Sequence, residues 1–122
     1  MDLRAKYTGK GNVLPEDPFA RGRQLYAQCA LCHGETGPSI GPSLLNILES
    51  KIANDANFSN YSTALKDYAT ENVRWDKSLM DQFLQSPKGA IPGTYMGYDG
   101  LENAKDRQAL ITYIRERNIV HN

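Results

Sequence analysis

Apolar residues first fall into step at Phe19, Gly22, Tyr26 and Cys29, three and four positions apart. Asp17-Pro18 just before them supplies a capping side chain and a proline at the first helical position, so a helix is predicted from about 18 to 29. Gly34, Gly37, Pro38, Gly41 and Pro42 then forbid regular structure until Ser43. The spacing of Leu44 to Ile52 predicts a short helix, and Tyr61 to Tyr68 another after a polar stretch from Ala53 to Ser59. Asp76 can cap a helix that carries Leu79, Met80, Phe83 and Leu84 on one face, ended by Pro87 and Gly89. Residues 87 to 101 read as a loop. Asn103 and Asp106 resemble a capping pair for a last helix, whose apolar face is Leu110, Tyr113, Ile114 and the stem of Arg117. No pair of strands is visible, so the fold class is all-α.

Size and composition sharpen this picture. A chain of 122 residues suits one domain, read as residues 17–122 behind a polar, aperiodic N-terminal arm over residues 1–16. With 40% hydrophobic residues, the side chains are sparse for a core that must hold two long loops, and a buried prosthetic group would supply the missing apolar mass. Fourteen Lys and Arg balance fourteen Asp and Glu with no basic block, which argues against nucleic acid as a partner. No apolar run approaches the roughly 20 residues of a membrane span, so no membrane insertion is expected. The start, Met1-Asp2-Leu3-Arg4, lacks the apolar centre of a signal peptide and reads as a mature or recombinant form.

The two cysteines of the chain stand in Cys29-Ala30-Leu31-Cys32-His33, the C-x-x-C-H pattern of covalent haem attachment. Two thiols three positions apart at a helix end can each add to one porphyrin vinyl group, and the adjacent histidine then projects toward the iron. A redox dithiol would call for a preceding strand, which is not predicted. A zinc site would call for further Cys or His ligands, and the other histidine is the terminal His121. A six-coordinate carrier needs a second axial ligand. Met80 lies at helical spacing with Phe83 and Leu84, as core-filling methionines do, whereas Met96 lies in the Pro- and Gly-shaped loop Ile91-Pro92-Gly93-Thr94-Tyr95-Met96-Gly97. Loop composition favours Met96 and leaves Met80 as the other candidate.

From about Phe19 to Ile114 the chain resembles the mitochondrial-type branch of class I cytochromes c. The resemblance rests on Gly22, Tyr26, Cys29, Cys32, His33, Gly41-Pro42 with Leu44, Trp75, Pro87-Lys88, Ile91-Pro92-Gly93-Thr94 with Met96, and Arg107, Leu110 and Tyr113. It implies crossed N- and C-terminal helices, with short helices and loops wrapped around one covalent haem c. It also implies His33 and Met96 as iron ligands, with the Pro42 carbonyl accepting from His33. Trp75, Tyr61 with Ser62, and Thr94 match polar contacts to the haem propionates, although about three extra residues separate Tyr61 and Ser62 from Trp75. Phe83 replaces a tyrosine whose hydroxyl lies near the methionine sulfur, and Ser50 replaces a propionate-facing arginine beside Lys51.

The function implied is single-electron transfer by a monomeric carrier, not enzymatic turnover. Its donor would be a quinol-oxidising cytochrome complex or a periplasmic dehydrogenase, and its acceptor a terminal oxidase or reductase. The bacterial periplasm is the expected compartment, with the mitochondrial intermembrane space second. Gln28 and Tyr95 stand where mitochondrial members carry docking lysines, while Lys88 is retained, so an apolar docking patch around Tyr95, Tyr98 and Ala30 is expected. Two rival readings are a haem enzyme or gas sensor with a labile Met96, and a cytochrome domain detached from a larger oxidoreductase.

Overall fold

A computed structural model describes residues 14–34 and 40–121, with side chains as far as Arg117. Most of the N-terminal arm and the Gly37-Pro38 part of the turn-rich segment lie outside the described residues. Among these residues six helices follow one another: α1 (Pro18–Leu25), α2 (Ala27–His33), α3 (Thr63–Glu71), α4 (Lys77–Gln85), α5 (Pro87–Ala90) and α6 (Ala104–His121). Strand structure among the described residues is limited to an isolated antiparallel bridge between Lys51 and Arg74.

Capping chemistry starts the helices where the sequence signals it. Asp17 accepts from the Ala20 N–H, Ser62 from Leu65 and Asp76 from Leu79. Asn103 accepts from the Asp106 N–H at 3.0 Å. The Asp106 carboxylate, fully buried, pairs with Arg21.

The core is built where α1 crosses α6. A Cβ on Gly22 would collide with the Ala109 carbonyl and come within 2.6 Å of the Tyr113 Cβ, so only glycine lets the two backbones approach. Phe19 and Tyr26 flank the crossing, with ring centroids 5.1 and 5.3 Å from Tyr113. Leu25, Leu110, Ile111 and Ile114 complete the buried seam. Leu14 is also buried and the Pro15 carbonyl accepts from Arg21, so the last residues assigned to the arm belong to the folded unit.

Three expectations are corrected. The helix expected over 18–29 ends at Leu25, and a turn at Tyr26 sets off α2 as a separate segment. The helix expected over Leu44–Ile52 is absent. Asn46, Glu49 and Ala53 have φ of 60°, 69° and 57°, which break a right-handed helix. The backbone there pairs with a distant segment: Glu49 donates to the Trp75 carbonyl at 2.7 Å, Trp75 to Ser50 at 2.9 Å and Ile52 to Val73 at 3.0 Å. Finally, Pro87 does not merely stop α4. Capped by Ser86, it occupies the first position of α5 inside the segment read as loop.

Arg107 locks the far side of the molecule. Its Nε reaches Asp81 of α4 at 2.9 Å, while one terminal nitrogen donates to the carbonyls of Leu101 and Glu102 at 3.0 and 2.6 Å. Those contacts fix the end of the loop that bears Met96.

Candidate functional site

α2 presents Cys29, Cys32 and His33 within one turn and its continuation. No disulfide joins the cysteines; Cys29 is buried and Cys32 exposed. Burial pushes the Cys29 thiol up to about 12. Among the described residues no cluster of three or more His, Cys, Asp or Glu side chains could hold a metal ion.

His33 is positioned by the segment that follows it. The Gly41 N–H returns to the Cys32 carbonyl at 2.7 Å and brings Gly41-Pro42 against the imidazole. A Cβ on Gly41 would lie 2.6 Å from His33 Cε1, so a side chain there would push the ring aside. His33 Nδ1 stands 2.7 Å from the Pro42 carbonyl oxygen. A carbonyl only accepts, so Nδ1 carries the proton and Nε2 keeps its lone pair. Burial holds the ring below its ordinary pKa, opposed by the Pro42 hydrogen bond, and so favours the neutral form a metal ligand requires.

The two methionines separate cleanly. Met80 is buried on α4 beside Phe83 and Leu84, as a core residue. Met96 is half-buried at the edge of the core, in a turn where its N–H donates to the Thr94 hydroxyl oxygen at 3.2 Å. Thr94 thus shapes the Met96 turn, and its hydroxyl proton is still available to donate. Trp75 packs its ring 5.2 Å from Phe83, and no hydrogen bond among the described residues engages its indole N–H. The Tyr61 oxygen accepts from the Asp55 N–H at 3.0 Å, which leaves its own proton to give. Ser50 Oγ donates to the Ile47 carbonyl at 2.7 Å and Lys51 is exposed, so the place of the family arginine holds no inward cation.

These residues suit a flat, apolar prosthetic group. Leu44, Ile47, Leu48, Ala64, Leu65, Tyr68, Ala69 and Met96 adjoin the core yet stay half-exposed. Among the described residues α3 has no buried side chain and packs on no other helix; its half-buried Ala64, Leu65, Tyr68 and Ala69 face the core. A flat apolar group would pack against this face. Two thiols, a lone-pair imidazole nitrogen, a thioether and uncommitted Trp and Tyr donors are the donor set for a covalent haem with two carboxylate tails.

One residue of interest escaped the reading of the sequence. Arg117 was assigned only an aliphatic stem, yet its whole side chain is buried and its guanidinium lies 4.5 Å from the Tyr26 ring centroid. The signal was its register: four residues after Tyr113 and seven after Leu110, it falls on the apolar stripe of α6.

The family model described as Cytochrome c matches residues 19–118. Cytochrome c2 of Rhodomicrobium vannielii is 38% identical over 101 residues, covering 80% of this chain and 77% of that protein. Cytochrome c of Arabidopsis thaliana is 37% identical over 101 residues, covering 79% of this chain and 86% of the relative. Among solved structures, cytochrome cH from Methylobacterium extorquens superposes with a TM-score of 0.73 at 30% identity, over 80% of this chain and 96% of the other. With the attachment cysteines on α2, the oriented imidazole and the α1–α6 crossing already in place, the chain belongs to the cytochrome c family, all-α haem c proteins that carry electrons between redox proteins.

Proposed function

We propose that His33 Nε2 and the Met96 sulfur would ligate the haem iron, and that the protein passes single electrons without chemical turnover of a substrate. When bound, the haem supplies a reversible one-electron couple at iron. The observation that carries the reading is the 2.7 Å contact from His33 Nδ1 to the Pro42 carbonyl, which fixes the tautomer and aims the free nitrogen. Met96 offers a neutral, soft thioether that favours the reduced metal, and the apolar surroundings of Phe83 and Leu65 penalise the added charge of the oxidised one. Trp75, Tyr61 and Thr94 offer donors to the propionates.

The partner-facing surface is proposed to be largely apolar. Tyr95 is 67% exposed and Leu31, between the two cysteines, 68%, while Tyr98 and Ala30 are half-buried. The patch therefore centres on Tyr95 and Leu31, with Lys88 as an exposed cation nearby in sequence. It fits a quinol-oxidising cytochrome complex or dehydrogenase as donor, and a terminal oxidase or reductase as acceptor, that dock transiently and with little dependence on salt. The bacterial periplasm, where haem is attached after export, is the proposed compartment. No helix among the described residues is long and apolar enough to cross a membrane.

Optical spectra of both oxidation states with a redox titration test the ligand set. Carbon monoxide should bind poorly to the reduced protein at neutral pH; ready binding would show an open iron and favour a gas-binding or enzymatic role. Unchanged transfer kinetics with the native partner after Tyr95→Lys would remove the docking patch.

A further inference from the structure

α6 carries a cation in the wrong place for a surface helix. Arg117 is 2% exposed, and its Nε and one Nη are buried with no hydrogen-bond partner among the described residues. Guanidinium does not deprotonate in proteins, so the buried group is a full positive charge. Two rings hold it: Tyr26 at 4.5 Å and Tyr113 at 5.8 Å from the guanidinium carbon to the ring centroid.

Tyr26 is itself tied to the attachment turn. Its carbonyl accepts from the Cys29 N–H at 2.8 Å, and its hydroxyl donates to the Gly34 carbonyl at 3.0 Å, so the ring beneath Arg117 spans the stretch that bears Cys29 and His33. The cation reaches Cys29 electrostatically: burial raises that thiol, and the Arg117 charge is the chief influence drawing it back down. A charge is expensive to bury, and aromatic faces recover only part of that cost. Ordinary helix packing would be served better by an aliphatic residue at this register.

We propose that Arg117 is a built-in electrostatic bias on the redox centre, a buried cation fixed behind the Cys29 attachment that favours the reduced over the oxidised haem. It rests on the haem reading above. The reduced centre carries one positive charge fewer than the oxidised one, so a fixed cation nearby repels it less. In a low-dielectric interior counterions do not screen that difference. A unit charge on the order of 10 Å from a redox centre, at an effective dielectric of about 20, shifts its equilibrium about tenfold.

The test is a redox titration of the haem-loaded protein and of Arg117→Met and Arg117→Lys. Methionine fills a similar volume without charge, and lysine keeps the charge without the planar fork. The expected result for Arg117→Met is a shift of about tenfold toward the oxidised form, about 59 mV lower for a one-electron couple. Arg117→Lys should recover most of that shift, and the difference should persist at high salt because the charge is buried. A merely structural role would lower the thermal midpoint of both variants and leave the potential where it was. An unchanged potential in Arg117→Met, with an unaltered optical spectrum, overturns the proposal. Failure of the haem reading would look different: a colourless protein with two free thiols in every variant.

Discussion

The guanidinium of Arg21 reaches across 85 residues of sequence to the carboxylate of Asp106, 2.7 Å away and fully buried. The pair ties the first turn of α1 to the first turn of α6 at the edge of the helix crossing. Removal of one partner takes the counter-charge from the other in a buried setting. Asp106→Asn should cost about 3 to 5 kcal/mol in urea unfolding of the haem-loaded protein. Joint replacement by Arg21→Met and Asp106→Leu should recover much of that loss, and a double-mutant cycle reads the coupling.

Gly22→Ala tests the crossing itself. The added methyl group meets the Ala109 carbonyl and the Tyr113 Cβ, neither of which is the flexible end of a side chain. The helices must part, at a cost of about 1 to 3 kcal/mol, read as a lower thermal midpoint. The potential should change far less than the stability, because the contact lies at the core seam and not at the ligands.

Met80 and Met96 should respond in opposite ways to the same swap. Met80→Leu conserves volume at a buried site and should cost under about 1.5 kcal/mol with an unaltered spectrum. Met96→Leu removes the thioether, so the reduced protein should bind carbon monoxide readily and the potential should fall. Wild-type spectra for Met96→Leu would return the ligand role to Met80.

Tyr68 sets part of the alkaline limit. Burial and the nearby Asp76 carboxylate raise its hydroxyl above the ordinary value. The unfolded chain then ionises first, near pH 10, while the folded chain keeps the proton. Stability from this source is whole below that pH and declines as pH rises through the folded value. Tyr68→Phe should flatten the decline in urea midpoints measured between about pH 9 and 11. A residual slope is expected from Tyr61, which burial also raises.

The helix crossing and the attachment turn were legible in the sequence because local rules decide them. Asp17-Pro18, Asp76 and Asn103 each cap the helix they announce, and Gly22 with Tyr113 marks the close approach. Leu44, Ile47 and Leu48 misled because their spacing also suits a loop that lays apolar side chains against a cradle. Backbone pairing with 73–75 decided the matter, and only Asn46 among the three left-handed residues gave local warning. The pairing of Asp106 with Arg21, far away in sequence, leaves no local trace. Arg117 was visible as a stem but not as a charge, since periodicity reports the face a residue occupies and not what its tip meets.

Among the described residues α3 leans on no other helix, and this has a bearing on how the molecule assembles. The α1–α6 seam buries its side chains fully, whereas Thr63–Glu71 meets the core only through the half-buried Ala64, Leu65, Tyr68 and Ala69, with the Tyr68 ring 6.1 Å from that of Trp75. Its amide protons should therefore exchange with solvent well before those of the seam, and this stretch should be the last to consolidate during maturation.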